Sequence, residues 1–256
     1  MLKNRNLIIP FIVIGLLLVI PLLLKSTYYI NLMSFMLIYA LFAMSLDVLV
    51  GFLGLGSLGH AAFFGGAAYC AGILNAKVGW DFIPSFIGAL IFTILLAALF
   101  GLLTTRITGV AFLLVNLALG QVVWGLAYRW YSMTGGDNGL VGISKPEILG
   151  ISFRSPQAYY YLLFFVVLVC AFILYRFLHS TFGQTLKGIK NSTRRMKALG
   201  YNVYWHRYIA YVVSGTFAGV AGIMFAFFNN FVAPTEVHTI TSAKAMLMVL
   251  LGGSGT

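Results

Sequence analysis

The chain alternates long apolar runs with short polar joins. Runs at residues 7–24, 28–50, 82–104, 109–129, 158–177 and 208–228 each approach the roughly 20 residues that carry an α-helix across the hydrocarbon of a bilayer. Lys3 and Arg5 precede the first run as they would in a signal peptide, but no small-x-small cleavage site comes before Lys25-Ser26-Thr27-Tyr28. A retained first span with a cytoplasmic N-terminus is therefore predicted. Pro10 and Pro21 lie near its ends, where proline is best tolerated.

Two stretches fit this rhythm poorly. Glycines at 51, 54, 56, 59, 65 and 66 weaken regular helix and let backbones approach closely, which in a membrane is tolerated only inside a bundle or beside a cavity. Residues 57–75 then either cross as a short helix or dip in and return. Parity favours crossing, because an even number of spans must separate a cytoplasmic N-terminus from the basic segment described next. Residues 240–251 are mostly apolar but too few to span. Pro234, Glu236 and His238 before them read as a short outer turn. With these two stretches, about eight hydrophobic segments predict an all-α polytopic bundle in one domain, residues 1–256.

One polar island interrupts the pattern. Between Arg176 and Arg207 stand Arg176, Lys187, Lys190, Arg194, Arg195, Lys197 and Arg207, seven of the sixteen basic side chains, with no acid among them. Cationic excess beside spans marks a cytoplasmic loop. Thr181 with Gln184 fits a capping box and Gly200 a stop, so residues 180–200 are expected to form one amphipathic helix. Leu186, Ile189, Met196 and Leu199 recur on one side, and Lys187, Lys190 or Arg194, and Lys197 on another. Such a helix rests on anionic lipid or docks a cytoplasmic partner.

Composition agrees: 61% of residues are hydrophobic, 8% charged, and the net charge is +11. The basic residues sit at segment ends, as orientation requires, rather than in a nucleic-acid patch. Cys70 and Cys170 fall inside apolar segments with no metal or disulfide spacing, so packing is their expected role. No Ser/His/Asp set, carboxylate pair or His cluster suggests an enzyme, and no phosphate-cradling G-x-x-x-x-G-K-[ST] loop is present.

The candidate residues are polar ones at membrane depth. Asp47 stands about one turn from the cytoplasmic end of its span and is expected to reach the interface or pair with Arg106. Ser57, His60, Asn116 and Gln121 lie near the glycine breaks and are candidates for a solute pathway, although lone polar residues in apolar helices more often serve packing. Ser214, Ala218 and Gly222, with Gly215 and Gly219 one step round, predict a close helix-packing face. The loop at residues 130–157 balances Asp137 and Glu147 against Lys145 and Arg154, which suits the outer side.

Several stretches together resemble the LivM-type permeases of bacterial branched-chain amino acid ABC importers. They are Ser45-Leu46-Asp47; Ser57-Leu58-Gly59-His60-Ala61-Ala62-Phe63-Phe64-Gly65; Thr108-Gly109-Val110-Ala111-Phe112 through Gln121; Thr134-Gly135-Gly136-Asp137-Asn138-Gly139-Leu140; Thr181-Phe182-Gly183-Gln184 through Lys190-Asn191 to Gly200; Ser214 to Gly222; and Met248-Val249-Leu250-Leu251-Gly252-Gly253-Ser254-Gly255-Thr256. They occur in the family's order along nearly the whole chain. Ser192 stands where the family usually has an acid, which leaves the island wholly cationic, and Asn116 where a hydroxyl is common.

The resemblance implies a bacterial inner-membrane, multi-pass permease that binds no cofactor itself. Its expected partners are two cytoplasmic ATPases that use ATP, a second permease and an extracytoplasmic binding protein. It further implies that residues 180–200 are a coupling helix, with Phe182 and Leu186 as apolar anchors, Gly183 allowing close approach, and Lys187, Lys190 and Arg194 setting the electrostatic fit. Family chains continue for roughly two more spans beyond the Gly-Gly-Ser-Gly motif, so a truncated sequence is expected. Two alternatives stay open. Similar permeases carry urea or short amides, and an ion-coupled secondary carrier would have Asp47 as its plausible intramembrane acid.

Overall fold

The computed structural model describes residues 15–21, 26–148 and 150–255. Among the described residues, five helices are long and apolar enough to cross a membrane: α1 (Thr27–Leu53), α3 (Phe82–Thr104), α4 (Val110–Arg129), α5 (Pro156–Leu178) and α8 (Val203–Asn229). Two shorter apolar helices, α2 (Ala61–Ala76) and α9 (Thr239–Gly252), lie among them, and α6 (Thr181–Asn191) and α7 (Thr193–Ala198) form a polar shelf at one end. Much of the first predicted span lies outside the described residues. Its helical portion at residues 15–21 touches α5, where Tyr160 donates its hydroxyl to the Leu17 carbonyl.

The bundle thus has a basic end, carrying α6 and α7, and a loop end. At the loop end β1 (Leu140–Val141) pairs antiparallel with β4 (Phe231–Val232), and β2 (Glu147–Ile148) with β3 (Ile151–Ser152). Lys145 and Asn230 fasten the loop down by donating to the carbonyls of Phe228 and Ile143. Burial holds the Lys145 ammonium below the ordinary lysine range. Arg154 pairs with Glu147 at 2.8 Å.

The centre is α8 packed on α1, α2 and α3, and its small residues explain how. Ser214 donates to the Ser45 carbonyl of α1. A methyl group on Gly219 would collide with Thr93 of α3, and one on Gly222 with the Phe64 carbonyl of α2. Backbones approach this closely in membranes because dispersion between small residues replaces the hydrophobic drive that lipid does not supply. Around this seam Phe42, Phe63, Phe64, Phe227, Tyr159 and Tyr211 are buried.

The glycine-rich stretch resolves into two halves. Gly54 takes a left-handed conformation (φ 68°) and stops α1, and the chain then runs without helix to His60 before α2 begins. It starts at the basic end, where Lys190 Nζ donates to the Gly51 carbonyl (2.7 Å). It finishes at the loop end, where Asn75 Oδ1 accepts from the Ser144 amide (2.8 Å). A crossing is therefore made from an extended half and a half-length helix. A second crossing of the same kind runs the other way: β4 starts at the loop end, a 3-10 turn (Pro234–Glu236) follows, and α9 descends until Gly255 donates its amide to Asp47 (3.0 Å).

The segment at residues 240–251 is too short to span alone, as expected, and the extended residues before α9 supply the other half of a crossing. The Pro234–Glu236 turn, however, is not the outer one expected. A methyl on Gly65 would press on the Glu236 backbone, and Gly65 lies eleven residues from the loop-end terminus of α2, roughly 16 Å along its axis.

Candidate functional site

Two places concentrate polar groups, the shelf at the basic end and the junction where the half-helices start.

The shelf is two helices rather than one. Ser192 adopts an extended conformation (φ −161°, ψ 99°), ending α6, and its hydroxyl accepts the Arg195 amide to cap α7. A serine that caps outcompetes helix continuation, and Gly200 (φ 86°) then ends the shelf. No side-chain capping bond forms at the start of α6, where Ser180 turns its hydroxyl to Phe177.

The predicted coupling residues divide. Leu186 is fully buried within this chain. Gly183 faces its own Leu178 carbonyl, which a methyl would strike, so the close approach it permits is internal. Phe182 is half-buried and stacks on His206 (ring centroids 5.1 Å apart). Lys187, Lys190 and Arg194 are exposed. Both lysines lean on the end of α1: Lys187 covers the Phe52 ring (4.7 Å) and Lys190 holds Gly51. Beside them a groove of about 560 Å³ opens between Phe182, Gln184, Thr185, Met196, Leu199 and His206. Asp47 accepts from Gly255 and lies within electrostatic reach of Lys190. It does not pair with Arg106, which sits over the Tyr204 ring.

At the junction the Ala61 amide, at the start of α2, donates to Ser242 Oγ of α9 (2.7 Å). His60 is fully buried, stacked on Phe42, with Nε2 3.1 Å from Ser45 Oγ. Ser45 donates its one proton to the Phe42 carbonyl, so His60 Nε2 carries the hydrogen and Nδ1 is the bare acceptor. Nδ1 has no partner, and neither does the Ser57 hydroxyl. Asn116 is buried too, donating to Phe112 and accepting from the Tyr211 hydroxyl.

Of the four pathway candidates, only half-buried Gln121 borders open space. It bonds Thr239 Oγ1 at 2.5 Å and lines a second groove of about 560 Å³ with Val122, Trp124, Gly125 and Arg129. Ser214, Ala218 and Gly222 lie in the central seam described above.

Sequence reasoning passed over Lys244 and placed Glu236 on an outer turn. The signal for Lys244 was a charge inside an apolar run. Glu236 gave none, because its depth comes from the packing of Val237 on Gly65.

A multi-pass helical bundle with broken crossings at its centre and a cationic shelf at one end is a membrane permease by architecture. Residues 28–256 match the family described as "Branched-chain amino acid transport system / permease component", and the chain belongs to that family. It is 27% identical over 243 residues to the "High-affinity branched-chain amino acid transport system permease protein LivM" of Salmonella typhimurium, covering 86% of this chain and 57% of that one. The Escherichia coli protein of that name is 26% identical with the same coverage. The "Probable branched-chain amino acid transport permease protein LivM" of Methanocaldococcus jannaschii is 26% identical over 84% of this chain and 67% of its own length. The chain thus spans 57% of the length of the two bacterial relatives. No solved structure matches significantly.

Proposed function

We propose that this chain is the membrane-spanning subunit of an ATP-driven importer that moves branched-chain amino acids across a bacterial inner membrane, with its basic end in the cytoplasm. Two cytoplasmic ATPases would bind and hydrolyse ATP, a second permease would complete the channel, and an extracytoplasmic binding protein would deliver the solute. The observation that carries this reading is the shelf. It bears exposed Lys187, Lys190, Arg194, Arg195 and Lys197, and it is fastened through Lys190 to Gly51 in the last turn of α1, just before the broken crossing. A push on α6 therefore reaches Gly51 directly and the half-helices through it.

Within this shelf the docking contacts belong to the exposed cations and to the groove edged by Phe182, while Leu186 and Gly183 hold α6 in place. Charge reversal at Arg194 and Arg195 together weakens ATPase attachment, and stoichiometric co-purification with the ATPases measures it. Leucine uptake into vesicles checks the whole reading. Uptake that persists without the ATPases and collapses with the ion gradient would establish a secondary carrier instead.

A further inference from the structure

Near the C-terminal end of a helix the orphan carbonyls favour cations. At the end of α1 Lys190 meets that preference, donating from Nζ to the Gly51 carbonyl (2.7 Å). Asp47, one turn earlier, runs against it: the acid is half-buried and forms no ion pair among the described residues. Its carboxylate has another role. Both oxygens accept the backbone amide of Gly255, just past the end of α9 (3.0 and 3.3 Å).

Gly51 is what lets the two pieces of chain meet. A methyl on it would collide with Asp47 Oδ1 and with the Gly255 backbone. Gly255 in turn holds a left-handed conformation (φ 80°), and a methyl there would press on the Gly51 carbonyl. Three parts therefore converge on the end of α1: the shelf through Lys190, the first broken crossing, which leaves at Gly54, and the second, which arrives at Gly255. α9 also packs along α1, but apolar packing is non-directional and lets one helix slide on another. A charge-assisted hydrogen bond fixes the register.

We infer that Asp47 is a positioning residue for transport: it ties the basic end of α9 to Gly51, so that a displacement of α6 carried by Lys190 moves the α9 crossing together with α1. The inference rests on the ATP-driven import reading and gives the shelf a hold on both broken crossings. Without the carboxylate α9 keeps its packing but loses its register against the shelf.

The test measures L-leucine uptake and ATP hydrolysis together in the assembled transporter in proteoliposomes. Asp47→Ala lowers the leucine moved per ATP hydrolysed at least about fivefold, the low end of coupling between sites, while co-purification with the ATPases stays at the wild-type level. Asp47→Asn keeps an oxygen for the Gly255 amide and recovers most of the ratio, which an acid that bound a coupling ion would not do. A smaller fall in Asp47→Ala, or an Asp47→Asn ratio as low as that of Asp47→Ala, overturns the joint. A wild-type complex that moves no leucine overturns the import reading instead. Should Asp47→Ala fail to assemble, spin labels at exposed positions in an otherwise unaltered chain decide: Asn191→Cys at the end of α6, Leu251→Cys on α9 and Ser152→Cys at the loop end. When ATP is trapped with vanadate, the labels on α6 and α9 keep their separation while both move against the loop-end label. A change in the α6–α9 separation, or no movement of either helix, overturns the joint.

Discussion

The two broken crossings share a construction and differ in their surroundings. The one that ends in α2 is sealed. Ser57, His60, Ala61, Ala62, Phe63 and Phe64 are buried against α1, α3 and α8. The one that ends in α9 presents Ile240, Lys244, Leu247 and Leu251 outward and buries only Thr241, Ser242, Ala245 and Val249. A half-helix wrapped on all sides has little freedom to change its environment, so the α2 crossing acts as a keel. A half-helix held along one face can be met from the other side by solute or subunit, and Lys244 is exposed there.

If the keel is rigid, its tightest point should tolerate least. A side chain at Gly59 would run into the Asn116 carbonyl of α4, and Gly120 of α4 packs on the Gly59 backbone in turn. Neither backbone can yield without moving a span. Gly59→Val is expected to cost about 3 kcal/mol or more, visible as loss of monodisperse protein and a fall in the unfolding midpoint in mild detergent. A variant of near wild-type stability would show that the keel can shift.

The joint between the crossings comes next. Ser242→Ala removes the acceptor of the Ala61 amide and leaves a buried donor at the start of α2 unsatisfied, which costs about 1–3 kcal/mol. Tyr211→Phe removes a neutral hydrogen bond to Asn116 and costs about 1 kcal/mol. Asn116 keeps its bond to Phe112, which is why the second loss is smaller. Denaturation of the three proteins side by side checks the order, and a reversal would mean that α2 and α9 are not bound to each other as described.

The long spans were legible because run length alone predicts them. The run at 28–50 became Thr27–Leu53, and 82–104 matched Phe82–Thr104. The basic shelf was legible from charge, but its division was not, because whether Ser192 continues a helix or caps the next depends on a local competition that periodicity does not register. The half-helices were hidden for a different reason. Hydropathy measures how long an apolar run is, whereas a crossing broken inside a bundle satisfies the freed backbone at its break through neighbours distant in sequence, as Ala61 at the start of α2 does through Ser242. Among the pathway candidates, residue type identified His60 and Asn116 as polar at depth, but only packing tells that Ser45 and Tyr211 already engage them.

The smallest expected effect tests the open side of the comparison. Ile240 is 60% exposed in this chain, so Ile240→Ala is expected to change the stability of the isolated chain by no more than about 0.5 kcal/mol. The informative measurement repeats the substitution in the assembled transporter. If the outward face of α9 borders a wetted path, the change stays small there too, since the side chain gains no packing partner on assembly. If a second subunit closes over this face, the assembled complex loses roughly 2 kcal/mol or more, as a core truncation does, while the isolated chain remains indifferent. That outcome would shift the pathway from the α9 face toward the α4 groove at Gln121 and Trp124, and leave the α2 crossing as the keel in either case.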